Sequence, residues 1–150
     1  MHPLREVLIR FVGTTGGERE DGHGADLSLT TGAQGAIESA DRLVILGTPG
    51  GSRIITMVLN SLLSAIDGAT AQALVSAPRF HHQYMPDRIE AEPGAFDPQT
   101  RSALEGRGHL VVEREDPFGN MQAVVWDRRT DRVTAASDPR GIGQAEVRYD

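Results

Sequence analysis

The sequence predicts a mixed α/β fold, and three observations predict it. Residues 42–46, Arg-Leu-Val-Ile-Leu, form a short continuous apolar run of the kind a buried strand needs. Apolar side chains then recur at 55, 58, 59, 62 and 66, which is helical spacing. Further on, residues 109–113 and 121–126 read as two strands linked by a loop holding Pro117 and Gly119.

In chain order, residues 4–12 are a short amphipathic stretch, strand or helix. Glu6 and Arg10 interrupt it too soon for a secretory signal. Residues 13–38 carry no aromatic side chain and few apolar ones, and burying them would not offset the entropy of ordering them. That segment is expected to be disordered or loosely held, and residues 1–38 to be a leader outside the ordered unit. The run at 42–46 opens the ordered part. Gly47-Thr48-Pro49-Gly50-Gly51-Ser52 is a glycine-rich turn, and a helix over 53–66 follows, with Ser52 as its cap and Gly68 just past its end. Residues 69–76 form a second short helix that Pro78 stops. Residues 79–96, with Pro86, Pro93 and Gly94, are an irregular connection with room for one strand. Asp97 caps a third helix that has Pro98 at its first position, runs to Glu105 and has Gly106 after it. Residues 128–131 turn tightly into a last strand at 132–136, and Asp138-Pro139-Arg140-Gly141 breaks into an irregular tail. There are no internal repeats.

Composition narrows the function. At 150 residues the chain has the length of one ordinary domain, with 39% apolar residues and only four Phe, two Tyr and one Trp. No apolar run approaches the roughly 20 residues that span a bilayer. The absence of Cys excludes a disulfide framework, thiolate metal sites and a cysteine nucleophile. A net charge of −6 argues against general nucleic-acid binding, which draws its affinity from neutralised phosphates. Every one of the fifteen basic residues is Arg, so Schiff-base and P-loop lysines are excluded as well. This bias also fits GC-rich coding. Residues 1–41 hold three Arg against seven acids, a net of −4, so most of the excess negative charge lies in that N-terminal stretch.

The glycine turn is the strongest local candidate for a site. Gly50 and Gly51 permit close backbone approach, and the helix behind them points free N–H groups outward. Such a turn can bind an anion, stabilise the oxyanion of an acyl-transfer intermediate, or simply join two packed elements. Neighbouring His81 and His82, with Asp87, read as structural hydrogen-bonding groups, because adjacent side chains diverge and a further ligand is lacking. Arg79 and Arg140 read as buried structural ion pairs. Glu113, Glu115 and Asp116 form a solvated charge run, and no pair of carboxylates is spaced for acid–base work.

Three segments go further. Gly47-Thr48-Pro49-Gly50-Gly51-Ser52-Arg53-Ile54-Ile55, Ala77-Pro78-Arg79-Phe80-His81-His82-Gln83 with Pro86-Asp87, and Ala136-Ser137-Asp138-Pro139-Arg140 resemble, in order and spacing, motifs of the gamma-glutamyltranspeptidases. The resemblance covers residues 39–149. It implies an incomplete four-layer αββα sandwich of the N-terminal-nucleophile hydrolase type, α/β or α+β in class. It also implies a precursor that cleaves itself into a large and a small subunit. The small subunit then begins with a threonine that attacks the gamma-glutamyl bond of glutathione, its own amino group acting as base. By this resemblance Gly50 and Gly51 donate backbone N–H groups to the oxyanion, and neither a cofactor nor a metal is called for.

The sequence also departs from that pattern. The family's Thr-Thr-His segment and its paired serines are missing; Thr14-Thr15 and Thr30-Thr31 are the only threonine pairs, and Gly follows each. The expectation is a C-terminal part of the small subunit, a truncated or frame-shifted product, inactive alone. Its partners would be the large subunit and the missing part of the small one, with a glutathione-like substrate only once completed. The alternative is a non-catalytic anion- or partner-binding module, or the complementing half of a split enzyme. A hydrolase using Thr14, Thr15, Thr30 or Thr31 after processing is the weakest reading. Alone, the 42–46 strand and the 53–66 helix would leave apolar surface uncovered.

Overall fold

A computed structural model describes residues 9–11 and 33–147. Its central element is an antiparallel sheet of four strands: β2 (Ala33–Glu38), β3 (Arg42–Thr48), β7 (Gln122–Asp127) and β8 (Arg132–Ser137), in that spatial order. Strand side chains alternate in direction, and in this register Leu46 lies opposite Ala123 and Val44 opposite Val125. Those four residues, with Ala136, turn toward two helices, α1 (Ile54–Ile66) and α2 (Ala71–Ser76). Met57, Ala65, Leu74 and Val75 close the core from the helix side. Val44, Leu46, Met57, Leu74 and Val75 are almost wholly buried.

The opposite face of the sheet is different. Leu43, Ile45, Val124, Trp126 and Ala135 occupy the alternate positions and are only half-buried, whereas Val133 and Gln122 on the same face are buried. Among the described residues the sheet thus carries a helix layer on one face only.

A smaller sheet stands beside the start of α1. Strands β4 (Phe80–Gln83) and β5 (Arg88–Ala91) are antiparallel, and β6 (Val111–Glu113) joins β5 in parallel. A parallel neighbour requires a crossover, which α3 (Pro98–Gly106) supplies. Ile89, Ala91 and Val111 are its small buried core, with Phe80, Phe96 and Leu104 against it. A third pairing joins β1 (Ile9–Phe11) to β9 (Gly143–Ala145).

Four sequence expectations change. Residues 33–38, expected to be loosely held, form β2, because pairing with β3 supplies hydrogen bonds and burial that the segment cannot generate alone. At Gly35 an added Cβ would lie 2.9 Å from Val58 of α1, so the absent side chain lets strand and helix meet. Residues 13–32, with all four candidate threonines, lie outside the described residues. Ser52 does not cap the first helix: residues 51–53 form a 3-10 turn and no side chain caps either it or α1. Residues 79–96 hold two strands rather than one, since β4 and β5 satisfy each other. The tail at 138–147, expected to be irregular, holds β9.

The other caps follow the expected chemistry. Thr70 caps α2 and Asp97 caps α3, each accepting from a backbone N–H three residues on. Arg42 ties off the end of α1 by donating to the carbonyls of Ala65 and Ala69.

Candidate active site around the glycine turn

Strand β3 ends at Thr48, and the chain then turns through Pro49, Gly50 and Gly51 into α1. Gly50 has φ +154° and Gly51 has φ +59°, backbone values that L side chains rarely adopt. A Cβ on Gly50 would also stand 2.5 Å from the end of the Met57 side chain, whereas one on Gly51 would meet nothing within 4 Å. Gly50 is therefore closed in by packing, and Gly51 faces open space. The N–H groups that open a helix lack intrahelical partners, so this turn presents donors beside an uncrowded position.

The turn is braced by the loop before β7. Asn120 N–H donates to Thr48 Oγ1 (3.2 Å), Gly119 packs against the Met57 sulfur, and the Arg53 guanidinium lies 5.5 Å from the centre of the Phe118 ring. That loop is in turn held by a buried ionic seam. Arg79 donates to the Phe118 carbonyl and to Asp138, and Asp138 Oδ2 accepts the Met121 N–H at 2.9 Å. Arg140 bonds Asp138 (3.1 Å), Glu92 (2.8 Å) and the carbonyls of Val75, Ser76 and Ala77 that end α2. Glu92 also accepts from the backbone N–H groups of Arg79 (3.0 Å) and Phe118 (3.2 Å). Burial pushes the Asp138 pKa up, but the N–H groups of Arg140 and Met121 and the Arg79 guanidinium outweigh it and hold the carboxyl below its ordinary value. The three motifs separated in sequence thus converge: the Ala-Pro-Arg and Ser-Asp-Pro-Arg segments form a strut behind the Pro-Gly-Gly turn.

Arg79 and Arg140 are the structural ion pairs that the sequence suggested. His81 is buried, with Nδ1 2.8 Å from Thr56 Oγ1 and Nε2 3.0 Å from Gln83 Oε1. Its neighbour His82 points away and pairs with exposed Asp87 at 2.9 Å. No group of three potential metal ligands comes together among the described residues. Glu115 and Asp116 are exposed, and Glu113 reaches Arg101 at 3.7 Å. Sequence reading missed Glu90 and Glu92. Glu90 is buried within reach of Arg53 (2.7 Å), Arg88 (2.8 Å) and Arg114 (3.1 Å), which lower its pKa from 4.5 to about 2. The only signal for either was a pair of acids at 90 and 92 flanking an alanine, a pattern that exposed strands also show.

A family model for gamma-glutamyltranspeptidase matches residues 35–148. This chain belongs to the gamma-glutamyltranspeptidase family. It is 38% identical over 107 residues to a glutathione hydrolase proenzyme of Escherichia coli (strain K12), covering 71% of this chain. It is 48% identical over 107 residues to a glutathione hydrolase proenzyme of Pseudomonas sp. (strain A14), covering 65% of the chain. In both cases the match spans 18% of the relative's own length. Among solved structures, a variant gamma-glutamyltranspeptidase from Helicobacter pylori superposes with a TM-score of 0.64 and 28% identity. That superposition covers 86% of this chain and 71% of that one. The enzyme from Pseudomonas nitroreducens in complex with L-DON gives 0.63 and 28%, over 90% and 69%. The mixed α/β fold of the gamma-glutamyltranspeptidases is therefore the fold of this chain. Among the described residues no helix is long and apolar enough to cross a membrane.

Proposed function

We propose that this chain supplies the oxyanion side of a gamma-glutamyl acyl-transfer site, acting on a glutathione-like substrate, and draws its nucleophile from elsewhere. The observation that carries the reading is the Gly50–Gly51 turn. Both glycines hold positive φ immediately before α1, and a Cβ on Gly51 would meet nothing within 4 Å, so the backbone at Gly51 is open to a ligand. Donors held this way stabilise the negative oxygen that forms when a gamma-glutamyl carbonyl is attacked. The attacking group is a threonine hydroxyl in a Thr-Thr-His setting, and no such segment stands in these 150 residues.

Residues 39–150 are the C-terminal part of a small subunit in this reading, and the chain is inactive alone. The partner is the large subunit with the nucleophile-bearing part of the small one. The half-buried face of Leu43, Ile45, Val124, Trp126 and Ala135 supports this, since a second sheet stacked there would bury it.

The test is turnover of a gamma-glutamyl anilide by the chain alone and after co-production with the missing segments of a gamma-glutamyltranspeptidase. Activity is expected only in the second case, and Gly51→Val should lower kcat by about 10²–10³ while the complex still forms. Turnover in the complex that is indifferent to a bulky residue at both 50 and 51 would sink the proposal.

A further inference from the structure

Two buried polar side chains of the small sheet face each other directly: His81 on β4 and Glu90 on β5 are register partners. Both reach across to the point where the 3-10 turn passes into α1. Glu90 Oε2 lies 2.7 Å from Arg53 Nη2, and His81 Nδ1 lies 2.8 Å from Thr56 Oγ1. Arg53 and Thr56 are three residues apart, so they share one helical face immediately after the glycine pair. We propose that His81 and Glu90 are positioning residues, a cross-strand clamp that fixes the Gly50–Gly51 turn by gripping α1 at two points. The proposal rests on the reading of that turn as an oxyanion site and adds what holds it still.

A glycine pair has more backbone freedom than any other dipeptide, yet oxyanion donors act only when held in place before the charge develops. The turn has little of its own to hold it. Neither the 3-10 turn nor α1 has a side-chain cap, and Arg53 N–H reaches the Gly50 carbonyl at a long 3.2 Å. The clamp residues, by contrast, are themselves fixed. Glu90 is held by Arg88 and Arg114 as well as Arg53, and the second ring nitrogen of His81 is occupied by Gln83. The Arg53 guanidinium also lies 5.5 Å from the centre of the Phe118 ring, a second contact on the same side chain. Each contact spans at least 25 residues of sequence, so the clamp exists only in the folded chain.

Amide hydrogen exchange on this chain, followed residue by residue, tests the clamp without requiring activity. Glu90→Gln and Thr56→Val each remove one grip, and Arg129→Ala, a solvent-exposed change, serves as the control. Each grip variant is expected to speed exchange at Arg53 and Ile54, whose N–H groups bond the Gly50 and Gly51 carbonyls, by on the order of tenfold or more, with β3 and β7 unchanged. Equal acceleration everywhere, or none at Arg53 and Ile54, overturns the clamp. In the completed enzyme, Glu90→Gln should lower kcat on the order of 10- to 100-fold with KM within about twofold, and Glu90→Asp should recover part of the loss. An unchanged kcat, or a loss confined to KM, overturns the positioning role. If the completed wild-type protein has no gamma-glutamyl turnover, the functional reading fails, and the exchange rates alone decide whether the clamp holds the turn.

Discussion

The helix-covered face of the four-stranded sheet and the seam around Arg79, Glu92, Asp138 and Arg140 are both buried, and they are held by opposite physics. The first is a cluster of aliphatic side chains whose partners are interchangeable at constant volume. In the second, every polar contact has a specified partner: Asp138 accepts from Arg79, Arg140 and Met121, and Glu92 from Arg79, Arg140 and Phe118. Burial of apolar area tolerates approximate answers. A buried charge does not, because desolvating it is recovered only when its partners are in place.

The contrast can be broken first at the seam. Arg79→Leu removes one of the two guanidinium groups that hold the buried Asp138 carboxylate and the donor to the Phe118 carbonyl, and a loss of about 3–5 kcal/mol is expected, measured by urea denaturation. A loss below about 1 kcal/mol would show that water or Arg140 takes over, and that the seam is as forgiving as the core. In the core, Leu46→Ala removes one of the largest fully buried side chains. About 2–5 kcal/mol is expected, while Leu46→Met should cost less than about 1.5 kcal/mol. Equal losses for both would contradict the claim that volume rather than identity matters there.

The smallest effect sharpens the comparison through pH. Glu90 is held at about 2, mainly by Arg53 and then by Arg88. A carboxyl whose pKa is depressed on folding contributes stability in full above its unfolded value of 4.5 and loses it as pH falls through about 2. The urea midpoints of wild type and Glu90→Gln should therefore differ most at neutral pH, converge as the solution is acidified below about pH 4.5, and meet near pH 2. The gap between Leu46→Ala and wild type should show no such convergence, because no charge is involved. Parallel pH profiles for Glu90→Gln and wild type would remove Glu90 from the ionic group.

Much of the fold was legible. The apolar run at 42–46 and the helical repeat at 55–66 carry their periodicity locally, and Asp97-Pro98 marks the start of α3 by cap chemistry, although the helix runs through Gly106 to a C-cap at Arg107 rather than stopping before Gly106. Strand β2 was not legible, because its residues, Ala-Gln-Gly-Ala-Ile-Glu, become a strand only against β3. The site divided in the same way. The glycine turn and the roles of Arg79 and Arg140 were readable from residue type and motif, whereas Glu90, Glu92 and the purpose of His81 were not. Thr56, Arg53 and Arg140, which partner His81, Glu90 and Glu92, lie 25, 37 and 48 residues away, and nothing in the local sequence tells a buried acid from an exposed one.

The sequence by itself determined the class of the chain and the position of the turn, and its three motifs carry the resemblance to the family. Class and turn follow from backbone freedom at Gly50 and Gly51 and from apolar period, which are properties of short segments. Only the tertiary structure decided that the three motifs meet, that a buried ionic strut stands behind the turn, and that β4 and β5 grip the helix after it. Ion pairs and hydrogen bonds act over a few ångströms, so which residues share one is fixed by how the strands cross, and folding alone settles that.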